Sequence, residues 1–256
     1  MDNLLSGKNV LITGAGRNIG KSIAIEMAKE GANIFFTDID KERCAQLKQE
    51  LKGYPVVSKG FISDVSRAED VDSLCNSLSQ DRIKIDILVN NVGIHFGGRT
   101  IKDLDLKEWN RVFDTNVFGP MYLTKRISKT MIDNHISGSI IFITSIHQWT
   151  IRRFLSYSAS KATLGMIVKE LALELAPYAI TVNGIAPGYI DEDKNGNPIP
   201  HKYTPLHKSS INPCYIGRAA VYLSSGFFSR FTTGTVLKID AGLSLYNHLV
   251  DQIPLE

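Results

Sequence analysis

Seven short apolar runs, at Asn9 to Thr13, Asn33 to Thr37, Val56 to Phe61, Ile87 to Asn90, Ser139 to Thr144, Thr181 to Ile185 and Thr235 to Ile239, restrict the possible folds more than any other feature of this chain. They are rich in β-branched residues, and their hydrophobicity is continuous rather than alternating, which means that both faces of each strand are covered. Helical patterns lie between them. Ile19, Ile23 and Met27 share one stripe, and Leu164, Val168, Leu171 and Leu175 share another. Strand and helix in repetition predict an α/β fold, a doubly wound, seven-stranded and mostly parallel sheet with helices on both faces. With 256 residues and 43% hydrophobic content spread along its length, the chain suits a single domain over 1–256. No Pro- or Ser-rich linker, repeat or low-complexity tract marks a second one. The interruption is 189–213, with four Pro and no apolar period, which reads as a loop or lid.

Composition excludes several classes of function. A net charge of +3 from scattered Lys and Arg is no nucleic-acid footprint. Cys44, Cys75 and Cys214 form no Cys-x-x-Cys pair and read as reduced thiols, and the six His are dispersed without metal-ligand spacing, so no metal is expected. No apolar run reaches membrane-spanning length, and strand character by about Lys8 leaves no room for a secretory segment; a cytoplasmic protein is the expectation.

Gly14, Gly16 and Gly20 follow the first strand directly and open the first helix. Such a turn lets a pyrophosphate approach the backbone at a helix N-terminus, where N–H groups are free and the dipole is positive. Asp38 ends the second strand, eighteen residues past Gly20. A carboxylate there accepts hydrogen bonds from an adenosine ribose and repels a 2′-phosphate, which favours NAD over NADP. Arg17 is the counterweight, because a guanidinium beside the turn pairs with that phosphate, and Asp38 is given the greater weight.

Tyr157 and Lys161, four residues apart in Tyr-Ser-Ala-Ser-Lys and downstream of Ser145, share one helix face. An ammonium ~4 Å from the phenol, at an effective dielectric of ~20, would favour the phenolate by ~4 kcal/mol at most, moving Tyr157 toward the range useful for general acid–base catalysis.

Taken in order, these motifs resemble the short-chain dehydrogenase/reductase family over nearly the whole chain. The resemblance rests on Thr13-Gly14 through Gly20, with Asn18 where Gly is usual; on Asp64-Val65; on Asn90-Asn91-Val92-Gly93; on Asn116 in Asp-Thr-Asn-Val-Phe-Gly; on Ser145, Tyr157 and Lys161; on Pro187-Gly188; and on Ile239-Asp240-Ala241-Gly242. It implies a Rossmann fold and a catalytic tetrad of Asn116, Ser145, Tyr157 and Lys161. Tyr157 would exchange the alcohol proton, Ser145 would bond the substrate oxygen, Lys161 would hold the nicotinamide ribose and acidify Tyr157, and Asn116 would hold a water leading to solvent. The cofactor residues it implies are Gly14, Gly16, Arg17, Asn18, Ile19, Gly20, Asp38, Asp64, Val65, Asn91, Gly93, Tyr157, Lys161, Pro187, Gly188 and Ile190. Glu192 stands where the family often has the Thr that binds the carboxamide.

Substrate contacts are expected from Ile94, His95, His147, Gln148, Trp149, Arg152, Arg153, Phe154 and Tyr189. Ser-Ile-His-Gln-Trp is similar to a stretch of bacterial glucose dehydrogenases in this family, which points to a sugar, polyol or other small polar hydroxy or keto compound. The two arginines equally suit a carboxylate, a phosphate or a solvated patch. Two alternatives stand beside this reading: an NADP(H)-dependent 3-oxoacyl thioester reductase, and a catalytically inactive NAD-binding regulatory module. By resemblance the chain is a homo-oligomer, tetramer or dimer. Its interfaces would come from the helices around Trp109 to Met131 and Ser158 to Leu175, together with Phe227, Phe228 and Phe231.

Overall fold

The computed structural model describes residues 3–97, 100–194 and 196–245. Its strands are β1 (Asn9–Thr13), β2 (Asn33–Asp38), β3 (Ser58–Ile62), β4 (Ile87–Asn90), β5 (Ser139–Ile143), β6 (Thr181–Pro187) and β7 (Val236–Ile239). They form one sheet in the order β3-β2-β1-β4-β5-β6-β7, and every pairing is parallel. The helices are α1 (Asn18–Lys29), α2 (Lys41–Leu51), α3 (Ala68–Gln80), α4 (Leu106–Phe113), α5 (Gly119–Asp133), α6 (Leu155–Leu175) and α7 (Cys214–Ser224). Among the described residues, no helix is long and apolar enough to cross a membrane.

Continuous hydrophobicity in the strands has the expected cause. Val10 and Ile12 of β1, Ile34 and Phe36 of β2, and Ile141 and Ile143 of β5 pack with α1, α2 and α7 on one side of the sheet. Leu11, Phe35, Ile140 and Phe142 point the other way and meet α3, α5 and α6. Successive side chains of a strand face opposite sides, so a sheet covered twice has no polar face to write into the sequence.

Two segments differ from the sequence reading. The helix expected across Trp109 to Met131 is continuous but not uniform, because Asp114–Phe118 between α4 and α5 widens into a π turn. The stretch 189–213 has an order of its own: bridges join Ile190 to Ile211 and Pro200 to Ser209, the Ser210 hydroxyl donates to Asp191 O at 2.6 Å and accepts from Ile199 N at 2.8 Å, and Thr204 and Ser210 are buried.

Candidate active site

The strand order reverses between β1 and β4, and the crevice at their carboxyl ends is where an open α/β sheet accepts a ligand. The two strand ends are stitched together there. Thr13 Oγ1 accepts from Asn91 N at 3.0 Å and Val92 N at 3.2 Å, while Asn91 Nδ2 donates to Thr13 O at 2.9 Å and Gly14 O at 3.0 Å. The chain then turns through Gly14 at φ 61 and Asn18 at φ 47. Asn enters this left-handed region more readily than most side chains, which is how the turn tolerates the missing glycine. A Cβ on Gly20 would lie 2.3 Å from Gly14 O and 2.5 Å from Asn91 Nδ2. No side chain caps α1 and no acidic residue occupies its first turn, so its N–H groups and positive dipole remain available to a pyrophosphate. These features fit a dinucleotide. Gly20→Ala is therefore expected to destabilise the fold by about 1–3 kcal/mol and to weaken NADH binding, measured by thermal denaturation and fluorescence titration.

At the adenosine end Asp38 is buried and both of its oxygens are engaged: Oδ2 accepts from Gly16 N at 2.9 Å and Oδ1 from Asp40 N at 3.0 Å. Asp38 thus also fastens the glycine turn to the end of β2. Arg43, which the sequence reading missed, lines the same end. It is presented by α2, whose cap Asp40 accepts from Arg43 N, and its guanidinium lies 3.3 Å from the Asp40 carboxylate. A small helix-cap carboxylate two residues past Asp38 was the available signal.

At the other end Tyr157 sits in the first turn of α6 and Lys161 one turn later, with Lys161 Nζ 5.6 Å from the centre of the phenol ring. Ser145, just past β5, lies close enough to Tyr157 to lower its pKa, and its hydroxyl accepts from His147 N at 3.2 Å. Asn116 lies in the π turn and is fully buried. Its Oδ1 accepts from Ile94 N at 2.8 Å, and its Nδ2 donates to Ile94 O at 3.0 Å and Ser160 Oγ at 3.0 Å. Both amide hydrogens are engaged, so the side chain clamps the segment after β4 to α6.

The electrostatics of the pair differ from the sequence reading. Lys161 Nζ donates to Ile143 O at 2.7 Å, and burial lowers its pKa to about 8. Burial raises the Tyr157 pKa, with the nearby Ser145 hydroxyl pulling the other way. Desolvation penalises the charged form of each group, so in the protein alone it outweighs the acidification expected from the neighbouring ammonium.

A cleft of about 880 Å³ joins both ends. It is lined by Gly14, Arg17, Asn18, Ile19, Gly20, Asp38, Asp64, Val65, Asn91, Gly93, Ser145, Tyr157, Lys161, Pro187, Gly188 and Ile190, and by Ile94, His95, His147, Arg152, Phe154 and Tyr189 from the substrate set. Gln148, Trp149 and Arg153 are not gathered into it. Gln148 turns back to donate to Thr144 Oγ1 at 3.1 Å, Trp149 lies beneath the Lys238 ammonium at 5.4 Å, and Arg153 is exposed at φ 59. These three residues of one short irregular segment point in different directions, so nearness in sequence overstated nearness in space. Glu192 also lies outside the cleft, its N–H donating to Asp191 Oδ1 at 2.9 Å. His201 joins the cleft from the loop by stacking on Tyr189, ring centres 4.2 Å apart; nothing in the sequence announced it.

His95 and His147 pack edge-on against Tyr157, ring centres 5.7 and 5.0 Å away. Burial, then the charges of Arg152, His95 and Lys161, lower the His147 pKa to about 4, so this ring is neutral at physiological pH.

The sequence model of the short chain dehydrogenases matches residues 8–201. The 3beta-hydroxysteroid dehydrogenase 1 of Eggerthella lenta is 32% identical over 253 residues, covering 94% of this chain and 95% of its own. The glucose 1-dehydrogenase of Gluconobacter oxydans is 32% identical over 253 residues, covering 94% and 93%. Among solved structures, a short-chain type dehydrogenase/reductase from Mycobacterium marinum superposes with a TM-score of 0.85 at 29% identity, covering 93% of this chain and 96% of its own. With this match and these relatives, the chain belongs to the short-chain dehydrogenase/reductase family of NAD(P)-dependent oxidoreductases.

Proposed function

We propose that the protein is an NAD-dependent oxidoreductase that interconverts a secondary alcohol and a ketone on a sugar, polyol or other small polar hydroxy or keto compound. The observation that carries this reading is the cleft itself, which brings Ser145, Tyr157 and the buried Lys161 into one space with a glycine turn and a strand-end carboxylate. When bound, the nicotinamide accepts or supplies a hydride. Tyr157 gives its proton to the ketone oxygen in reduction and takes the alcohol proton in oxidation, and Ser145 holds that oxygen. Lys161 supplies hydrogen bonds to ribose hydroxyls. Asn116 fixes Ile94, a wall of the cleft, to α6.

Asp38 supports NAD. It stands in the turn, bonded to Gly16 N, where a 2′-phosphate would face its charge. Arg17 and Arg43 line the same end, but Arg43 is drawn to Asp40. The expected result is a kcat/KM for NAD at least about tenfold above that for NADP, a gap of ~1.4 kcal/mol, and a shift toward NADP in Asp38→Ser. A wild-type preference for NADP would overturn the assignment. Polar rings around Tyr157 support a polar substrate, which a screen of sugars, sugar acids, polyols, steroids and acyl thioesters tests directly. The same reading makes the chain a homo-oligomer, tetramer or dimer, with exposed Phe118, Met166 and Leu173 on the α4–α6 side and Phe227 and Phe231 elsewhere as contact surfaces.

A further inference from the structure

We propose that Arg152 binds a carboxylate on the substrate, so that the enzyme acts on hydroxy and keto acids in preference to neutral alcohols. The inference rests on the dehydrogenase reading above and deepens it.

Arg152 lies five residues before Tyr157 and lines the cleft. Its neighbour Arg153 is turned outward by a left-handed backbone, so the two arginines of the sequence separate into one that faces the cleft and one that faces solvent. The guanidinium is only loosely held. Nε donates to Thr150 Oγ1 and Nη2 to Leu243 O, each at 3.4 Å, beyond the usual 2.7–3.2 Å of such bonds. Both partners are neutral, and among the described residues no carboxylate pairs with it. The carboxylates that line the cleft, Asp38 and Asp64, belong to the adenosine end. The end of the cleft where the reacting carbon would sit is therefore free of lining carboxylates and cationic, whereas at the adenosine end Asp38 and Asp64 stand beside Arg17 and Arg43.

Neighbouring groups reinforce this. The charge of Arg152 helps to lower the pKa of both His147 and His201, after the larger effect of burial, which places the guanidinium within electrostatic reach of the ring that packs on Tyr157. Those imidazoles stay neutral, so the charge at this end comes from Arg152 and from Lys161, and the Lys161 ammonium is engaged with Ile143 O. The N-terminus of the 21-residue α6 also opens here without a side-chain cap, adding a positive dipole end. A planar guanidinium fork matches one carboxylate through two parallel hydrogen bonds and balances its single charge. A phosphate dianion would call for a second free cation, and Arg111, the other guanidinium nearby, lies over the Phe96 ring at 5.5 Å.

The test is kinetic, with NAD saturating and matched pairs of substrates: gluconate against glucose, short hydroxy acids against polyols of the same length, and the corresponding phosphate esters. The wild type is expected to favour the acid of each pair. Arg152→Gln should lower kcat/KM for acids by about 100-fold, chiefly through KM, and this loss should greatly exceed the loss for the neutral partner. Arg152→Lys should recover part of it, since the charge returns without the fork. Equal losses for acid and neutral compounds, no acid preference in the wild type, or a preference for the phosphate ester would each overturn the proposal. Wild-type protein that oxidises none of them would count against the dehydrogenase reading instead. Calorimetry of gluconate with the NADH-loaded protein then decides the role of Arg152: binding that disappears in Arg152→Gln supports it, and binding that is absent or unchanged overturns it.

Discussion

Tyr157→Phe is expected to lower kcat by roughly 10²- to 10⁴-fold, the usual worth of a positioned acid–base group, with little change in NADH affinity. The substitution keeps the ring, and with it the edge contacts to His95 and His147, while removing the phenol oxygen. Because burial raises the phenol pKa, little phenolate exists at neutral pH. Alcohol oxidation, which needs the base form, should therefore climb as pH rises into the alkaline range, and ketone reduction, which needs the acid form, should not. The alkaline climb should vanish in Tyr157→Phe. Steady-state kinetics in both directions across pH check this, and near-normal turnover of the variant would reject Tyr157 as the proton carrier.

Lys161→Met is expected to abolish most activity and yet to raise the melting temperature of the cofactor-free protein. Lys161 is buried, and its pKa falls from 10.5 to about 8 through loss of hydration. A pKa depressed on folding means that the unfolded chain holds its proton more tightly, so below pH 8 the ammonium costs stability, by about 3 kcal/mol. That cost fades as pH rises from about 8 toward 10.5, over which wild-type stability should increase relative to the variant. Met fills the same volume without the charge, but it forfeits the hydrogen bond to Ile143 O, worth ~1 kcal/mol. The net gain of ~2 kcal/mol corresponds to roughly 4–8 °C. A lower melting temperature in the variant at pH 7 would show that the ammonium is better compensated than its surroundings imply. On the proposed function the cost has a reason, since a donor held in this dry position beside Tyr157 is placed to address the ribose.

Physical logic explains why the sheet was legible and parts of the cleft were not. Strands buried on both faces must be apolar throughout, so the runs from Asn9 to Thr13 and Ser139 to Thr144 lay within a residue of β1 and β5. The glycine turn was readable because only glycine tolerates contacts such as that between position 20 and Gly14 O. Residues placed by tertiary packing left no such trace. Gln148 and Trp149 follow His147 directly, but the single 3-10 turn of Ile146–Gln148 sends them elsewhere. His201 reaches the cleft only because an irregular loop bonds to itself and stacks on Tyr189. The i, i+4 spacing of Tyr157 and Lys161 set their common face, whereas the balance between Coulomb attraction and lost hydration depends on depth, which spacing does not encode.

The wide turn at Asp114–Phe118 bears on how this scaffold tolerates change in chain length. A π turn carries one surplus residue, and each residue advances a helix by about 100°. The widening absorbs that surplus advance, so the core face of α5, including Leu123 and Ile127, keeps its phase against the sheet while Asn116 is set where its side chain grips Ile94. Losing one residue there would restore a regular helix without turning α5 away from the sheet, and the cost would fall on the Asn116 clamp instead.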